Sequence, residues 1–315
     1  MRNPIHHPRF ATLIAIALSL ANPFSAPAHE GPEHEIEELT EQIDKFGETA
    51  SLLTERAIEY RVLGKWAEAS RDLERATKLD PNSIHAYREL GRVQFLSGKT
   101  NEAIATVTRA LTLKTEEPID LGGLRMLRAE FLRARGENKK ALEDCNVALQ
   151  IHKQNPEWYL LRSDLQSRLK LNKKRVAGIE EGLKETGAGI LEIELVDALL
   201  DDKQFRPALI KIEAELKSSR IKSSWLILRA RTRIGLGQSA GAQEDLKAAL
   251  AEIADRLNLT TPDVPLLLDK ALAHELLGEK KDALRYYELA RDKGAVEDVN
   301  VKIKTLQQQI DSARK

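Results

Sequence analysis

A column of small residues recurs along this chain at fixed intervals. It reads Ala57, Gly64, Ala69, Ala76, then Gly91, Gly98, Ala103, Ala110, then Ala129, Gly136, Ala141, Ala148. Two later copies are Ala230, Gly237, Ala242, Ala249 and Ala271, Gly278, Ala283, Ala290. From Gly64 to Gly98 is 34 residues, the length of one helix–turn–helix unit of a solenoid, so the period constrains the architecture before any local motif does. Small side chains at such places let two helix backbones approach closely. The glycine between the two amphipathic stretches suits a turn that needs positive φ.

The surrounding residues carry a resemblance. In the first copy Ala57, Tyr60, Gly64, Trp66, Ala69, Leu73 and Ala76 are followed by Asp80-Pro81. Residues 84–117 keep Tyr87, Leu90, Gly91, Gly98, Ala103 and Ala110, and residues 122–155 keep Ala129, Gly136, Ala141, Cys145 and Ala148. The pattern resembles the tetratricopeptide repeat (TPR). That resemblance implies an all-α, right-handed superhelical α-solenoid of about seven TPR-like hairpins. A fourth unit is read as degenerate, because Lys170 stands at the place of Gly136 and Arg175 at that of Ala141. Residues 189–222, 223–263 and 264–297 complete the series, the fifth unit resting on Leu195, Phe205, Ala208 and Ile212.

A solenoid exposes an apolar face at each end. Val299, Ile303, Leu306 and Ile310 recur at helical spacing and are expected to cap the C-terminal end over residues 298–315. Ile36, Leu39, Ile43 and Phe46 form a similar stripe before the first repeat, within a leader and amphipathic helix at 29–49. The expected division is therefore 1–28, 29–49, a solenoid over 50–297, and 298–315.

Residues 1–28 have the pattern of an export signal. Arg2 and Arg9 precede an apolar run from Phe10 to Ala21, and Ala26-Pro27-Ala28 offers a small-residue cleavage site. The expectation is an exported bacterial member of the TPR family, cleaved after Ala28 and periplasmic or secreted. The run is too short for a membrane span of roughly 20 residues, so no membrane insertion is expected after cleavage. Without residues 1–28 the formal charge is −2, from 47 bases against 49 acids. That near-neutrality argues against nucleic-acid binding, which needs a basic footprint. A single cysteine, Cys145, excludes an internal disulfide, and its place beside Leu73, Val107 and Leu246 in a large-residue column reads as a buried filler.

Bases precede or occupy the first small column at Arg56, Arg128, Arg162, Arg229 and Lys270. Asp72, Asp144 and Asp245 follow the first, second and fourth of these by 16 residues. The second repeat has Leu90 and Thr106 in the two places, so the columns change together, as expected of a pair between the two helices of a hairpin. No catalytic, cofactor-binding or metal-binding constellation is legible. His29 and His34 are five apart across Gly31-Pro32, which does not fit a zinc-protease helix, although a loose metal-binding leader stays open.

In the TPR family the first helices of successive repeats line the concave face. The resemblance thus places Arg88, Met126, Leu160, Ile193, Ile227 and Leu268 inward, with Arg92 and Arg231 one turn later. A mixed apolar and charged stripe suits a protein or peptide partner. Some of these apolar residues instead pack between repeats in an equally open reading. The Lys and Asn set with which some relatives grip a C-terminal carboxylate is missing, but Arg88 and Arg92 have the chemistry to anchor a carboxylate or phosphate. The expected function is an exported scaffold or adaptor. Alternatives are a periplasmic metal- or small-ligand-binding protein and a noncatalytic regulatory subunit of a cell-envelope enzyme.

Overall fold

A computed structural model describes residues 31–115, 117–295 and 297–312; the segment expected to be an export signal and His29 lie outside them. Sixteen helices and no strand occur among the described residues. They fall into two compact units, 31–171 and 172–312.

The first unit contains α1 (Pro32–Phe46), α2 (Ala50–Val62), α3 (Trp66–Leu79), α4 (Ile84–Leu96), α5 (Thr100–Ala110), α6 (Pro118–Ala134), α7 (Asn138–Ile151) and α8 (Pro156–Arg168). Helices α2/α3, α4/α5 and α6/α7 pair as hairpins, and α1 packs on α2 through Leu39 and Ile43. The stripe on α1 is only partly used, since Phe46 is exposed. Pro32 occupies the first helical turn, where a missing N–H costs nothing, so Glu33 to Glu35 are helical rather than a loose leader.

The second unit contains α9 (Asn172–Thr186), α10 (Ile190–Asp201), α11 (Phe205–Ser218), α12 (Ser223–Gly235), α13 (Ser239–Arg256), α14 (Val264–Leu277), α15 (Lys280–Asp292) and α16 (Glu297–Ser312). Its hairpins are α10/α11, α12/α13 and α14/α15, with α16 laid on α15 through Val299 and Leu306. The fold class is the one the repeat period implies.

Every alanine of the small columns named above is buried, at 2 % exposure or less. Gly91 shows the reason for the size limit, because a Cβ there would stand 2.7 Å from the Val107 side chain across the α4/α5 hairpin. Each turn closes in one way. Lys65, Lys99, Glu137, Leu171, Gln204, Gln238 and Glu279 each donate their N–H to a carbonyl five residues back, at 2.8–2.9 Å. The residue before each donor has left-handed φ, from 59° to 82°. This is the Schellman closure. Five of the seven positions are glycine, but Lys170 (φ 59°) and Lys203 (φ 60°) hold it with a side chain present. The fourth repeat therefore keeps its turn despite losing its glycine.

The two charged columns meet as their covariation implies. Arg56 donates from Nε to Asp72 Oδ2 at 2.7 Å and from a terminal nitrogen to Oδ1 at 2.9 Å. Arg128 forks on Asp144 at 2.7 Å twice, and Arg229 forks on Asp245 at 3.0 and 2.6 Å. The three aspartates are buried, so the fork replaces water they have lost. Lys270 finds the Tyr286 ring, 16 residues on, with Nζ 4.5 Å from its centroid. In the second repeat Leu90 packs in the core and Thr106 donates instead to Gln94 Oε1 at 2.7 Å.

Cys145 is fully buried, and removal from water beside Asp144 pushes its thiol pKa well up. It packs with Ala141, Ala148 and Leu165 as a filler. No described helix is long and apolar enough to cross a membrane.

Candidate partner-binding face

The first helices of the hairpins in residues 31–171 carry a row of charges linked from one repeat to the next. Glu89 of α4 is its centre. Its side chain is almost wholly buried, an expensive place for a carboxylate unless cations approach it. Arg92 supplies one, donating to Oε1 at 2.6 Å from the next turn of α4. Arg61 reaches from α2 with Nε 3.3 Å from Oε2, and Arg88 adds Nε at 3.7 Å from Oε1. Three guanidinium groups thus converge on one carboxylate, and the Nε–H groups of Arg61 and Arg88 lie in ion-pair range without hydrogen-bond geometry. Their forks are only partly used.

The field of this cluster is felt around it. The pKa of His85 is lowered by partial burial and then by Arg88 and Arg92, against opposition from Glu89 and Glu55. Glu130 of α6 keeps contact with solvent, but its close surroundings raise its pKa while Arg133 and Arg92 pull it down. The row continues with Arg133, 3.4 Å from Asp164 Oδ2 on α8, and Asp164 also accepts from Arg168 Nε at 2.9 Å. Ile58 and Leu160 lie half-buried on the same first helices.

Residues 172–312 solve the opposite problem. Arg175 of α9 stands in the small-residue column, yet it is 1 % exposed. It binds three acids of α10: Glu194 at 2.7 Å, Asp197 at 2.9 Å and Asp201 at 2.6 Å. Arg231 of α12 approaches Asp197 from the other side at 2.5 Å. Burial alone would raise the Asp197 pKa, but the two guanidinium groups hold it well below the usual carboxylate range. At the C-terminal end Glu275 accepts from Lys302 Nζ at 2.6 Å and from the Tyr287 hydroxyl at 2.9 Å.

The inward row inferred from the sequence divides accordingly. Arg88 and Arg92 are half-buried and belong to the Glu89 cluster. Leu160 is half-buried and Ile193 is exposed. Met126 and Ile227 must be corrected: both are buried in clusters with alanines of neighbouring helices, so they hold hairpins together and offer no open surface. Leu268 packs partly against Ala271 and Tyr287, and Arg231 is occupied by Asp197. Sequence reasoning missed Glu89 and Arg175. The signal for Arg175 was a large base at a place the period reserves for alanine; Glu89 had no signal beyond its neighbouring arginines.

Among the described residues one group gathers donors suited to an ion, His274 with Glu279 and Asp282 at the α14/α15 turn. His274 Nδ1 is 2.6 Å from Glu279 Oε2, and the ring stacks on Tyr286 with centroids 5.5 Å apart. His34 pairs instead with Glu38 within α1, at 3.2 Å.

Fold and face together define a TPR-type array of helical hairpins. The family model of the ETO1 C-terminal domain matches residues 31–170, nearly the whole described part of the first unit. ETO1-like protein 1 of Arabidopsis thaliana is 37 % identical over 133 residues, covering 42 % of this chain and 14 % of that protein. U-box domain-containing protein 70 of Oryza sativa subsp. japonica is 23 % identical over 254 residues, 81 % of this chain and 30 % of that protein. The chain thus spans less than a third of the length of these curated relatives. A tetratricopeptide repeat protein of Parabacteroides merdae superposes with a TM-score of 0.60 at 18 % identity, covering 87 % of this chain and 99 % of that one. Yeast Tom70 gives 0.52 at 16 % identity, covering 90 % and 60 %. At such identities the likeness shows the fold.

Proposed function

We propose that this chain is an exported adaptor that holds a protein or peptide partner on the first-helix faces of its repeats, with Arg88, Arg92 and Leu160 as contacting residues within 31–171 and Ile193, separately, within 172–312. The observation that carries the reading is the Glu89 cluster: three guanidinium groups fixed around one buried carboxylate, each keeping part of its side-chain surface open, on successive hairpins. A rigid scaffold presents such groups without an ordering cost at binding. One neighbour of the same fold is a chain of the APC/C hetero-tetramer Cut9-Hcn1, which is the kind of use this reading assigns; its TM-score is 0.52, and this chain spans 46 % of it.

The reading assigns no reaction to the chain. A partner that is itself an enzyme would make this protein a noncatalytic regulatory subunit, a special case of the same mechanism. Crosslinking the mature protein in its native envelope and identifying the crosslinked residues tests the reading. Crosslinks on α4, α6 and α8 support it, and a protein that crosslinks to nothing refutes it. Export is tested separately by N-terminal sequencing of the purified native protein, with His29 expected as the first residue.

A further inference from the structure

We infer that His274, Glu279 and Asp282 form a binding site for a divalent transition-metal ion of the zinc class, at the turn between α14 and α15. The inference is independent of the adaptor reading, and the site is distinct from the His29/His34 leader.

The turn brings the three residues together. Gly278 takes a φ of 81°, which lets the Glu279 N–H donate back to the His274 carbonyl at 2.9 Å. A side chain from the last turn of α14 is thereby set against two from the start of α15, and one ligand atom of each lies within 4.8 Å of the other two. The imidazole is held in place. Its ring stacks on Tyr286 with planes 6° apart, and it keeps only 15 % of its side-chain surface. Glu279 and Asp282 are exposed and can swing inward. Metal bonds of about 2.0–2.1 Å put tetrahedral donors roughly 3.3 Å apart, so closing the site takes a shift of an ångström or two in the carboxylates alone.

The two acids lack the partners such groups usually find. Glu279 stands at the N-cap place of α15 yet makes no capping hydrogen bond; its Oε2 turns instead to His274 Nδ1, 2.6 Å away. Lys280 and Lys281 lie between the acids in sequence, but among the described residues no Lys or Arg comes within ion-pair distance of either carboxylate. Lys270 and Arg285 face the Tyr286 ring, 4.5 and 5.7 Å from its centroid. The positive end of α15 keeps both acids ionised, as ligands must be.

The donor set selects the ion. One imidazole nitrogen with two carboxylate oxygens suits Zn2+ and its first-row neighbours, and three protein ligands leave a place for water. Ca2+ and Mg2+ prefer oxygen and gain little from the ring. The ion needs Nδ1 unprotonated, with the ring's remaining proton on Nε2. Binding therefore competes with protonation and weakens as pH falls through about 6.5, the ordinary range of histidine.

The test is calorimetric titration of the untagged protein with Zn2+, with Ca2+ and Mg2+ as controls. A single equivalent is expected at micromolar Zn2+, and it should persist in His29→Gln/His34→Gln. His274→Gln and Asp282→Asn should each weaken it about tenfold or more. NMR should show the His274 ring resonances shifting with Zn2+. Thermal melts without metal establish that the variants fold, and Asp282, whose side chain makes no hydrogen bond or ion pair in the chain, supplies a variant that a purely structural role of the His274 ring would not move. Uptake only at millimolar Zn2+, an adventitious ion only, would overturn the inference. Unchanged uptake in Asp282→Asn, loss confined to the His29→Gln/His34→Gln chain, or equal binding of Ca2+ would do the same. None of these outcomes touches the adaptor reading, which the crosslinks decide.

Discussion

Glu89 and Arg175 are mirror images. In residues 31–171 one buried carboxylate gathers three arginines, and in residues 172–312 one buried guanidinium gathers three acids. The outcomes differ because the surrounding ions differ in exposure. Arg88 and Arg92 keep 31 % and 43 % of their side-chain surface, whereas the acids around Arg175 keep 17–22 %. The first cluster leaves its arginines partly open to solvent; the second draws its charges inward. Similar ion-pair chemistry on one kind of scaffold thus gives a partly open charged face in one region and an internal brace in the other.

The largest expected effect breaks that contrast directly. Arg175→Ala removes the guanidinium shared by Glu194, Asp197 and Asp201, leaving Arg231 on Asp197, and should cost on the order of 3–5 kcal/mol, as buried pairs do when one partner is lost. Glu89→Ala leaves arginines that can turn to water, and should cost about 1–2 kcal/mol. Denaturant melts of the two variants compare them. Equal costs would mean that the two clusters do the same work.

The repeated Arg–Asp pairs, present in both regions, should grade by redundancy. Asp72 has its fork from Arg56, while Asp144 and Asp245 each hold a second arginine, Arg125 at 3.0 Å and Arg233 at 2.8 Å. Arg56→Ala is expected to cost about 3 kcal/mol and Arg128→Ala or Arg229→Ala visibly less. Equilibrium unfolding of the three variants decides the order.

Titration should move the regions in opposite directions. Asp269 accepts from Ser224 at 2.5 Å, and burial raises its pKa to about 6, against the effect of that hydrogen bond and of Arg256. The folded chain then holds a proton that the unfolded chain releases near pH 4. Stability from this group is full below that pH and falls as pH rises towards 6, by about 3 kcal/mol. Asp269→Asn should flatten the change, measured as the difference between wild-type and variant stability across that window. His85 has a lowered pKa, so the first region should instead gain stability as pH rises through the range just below 6.5. His85→Gln should remove that gain.

The smallest effects concern the turns. Lys203→Gly relieves a left-handed residue and should stabilise by about 0.5–1 kcal/mol, while Gly98→Ala should destabilise by a similar amount. Melting temperatures of the pair check both signs.

Much of the fold was legible in the sequence because its determinants are local and repeated. A glycine that closes a turn does so within six residues, and an arginine that forks on an aspartate 16 residues later needs only one hairpin. The candidate site was half legible. Arg88 and Arg92 were singled out by their placement, but the carboxylate that organises them sat between them unnoticed, because nothing in the period tells a buried glutamate from a solvated one. Met126 and Ile227 looked available for the same reason, and the alanines that cover them lie on neighbouring helices.

The sequence by itself determined the repeat period, the five turns closed by glycine, which faces are small enough to touch, and which bases pair with which acids inside a hairpin. These follow from spacing along one chain. Only the tertiary structure decided which inward residues stay open, that Lys170 and Lys203 take the place of turn glycines, and that Arg175 fills an alanine's place by drawing three acids inward. Burial depends on what neighbouring helices bring to a site, and water's removal sets the cost of every charge found there.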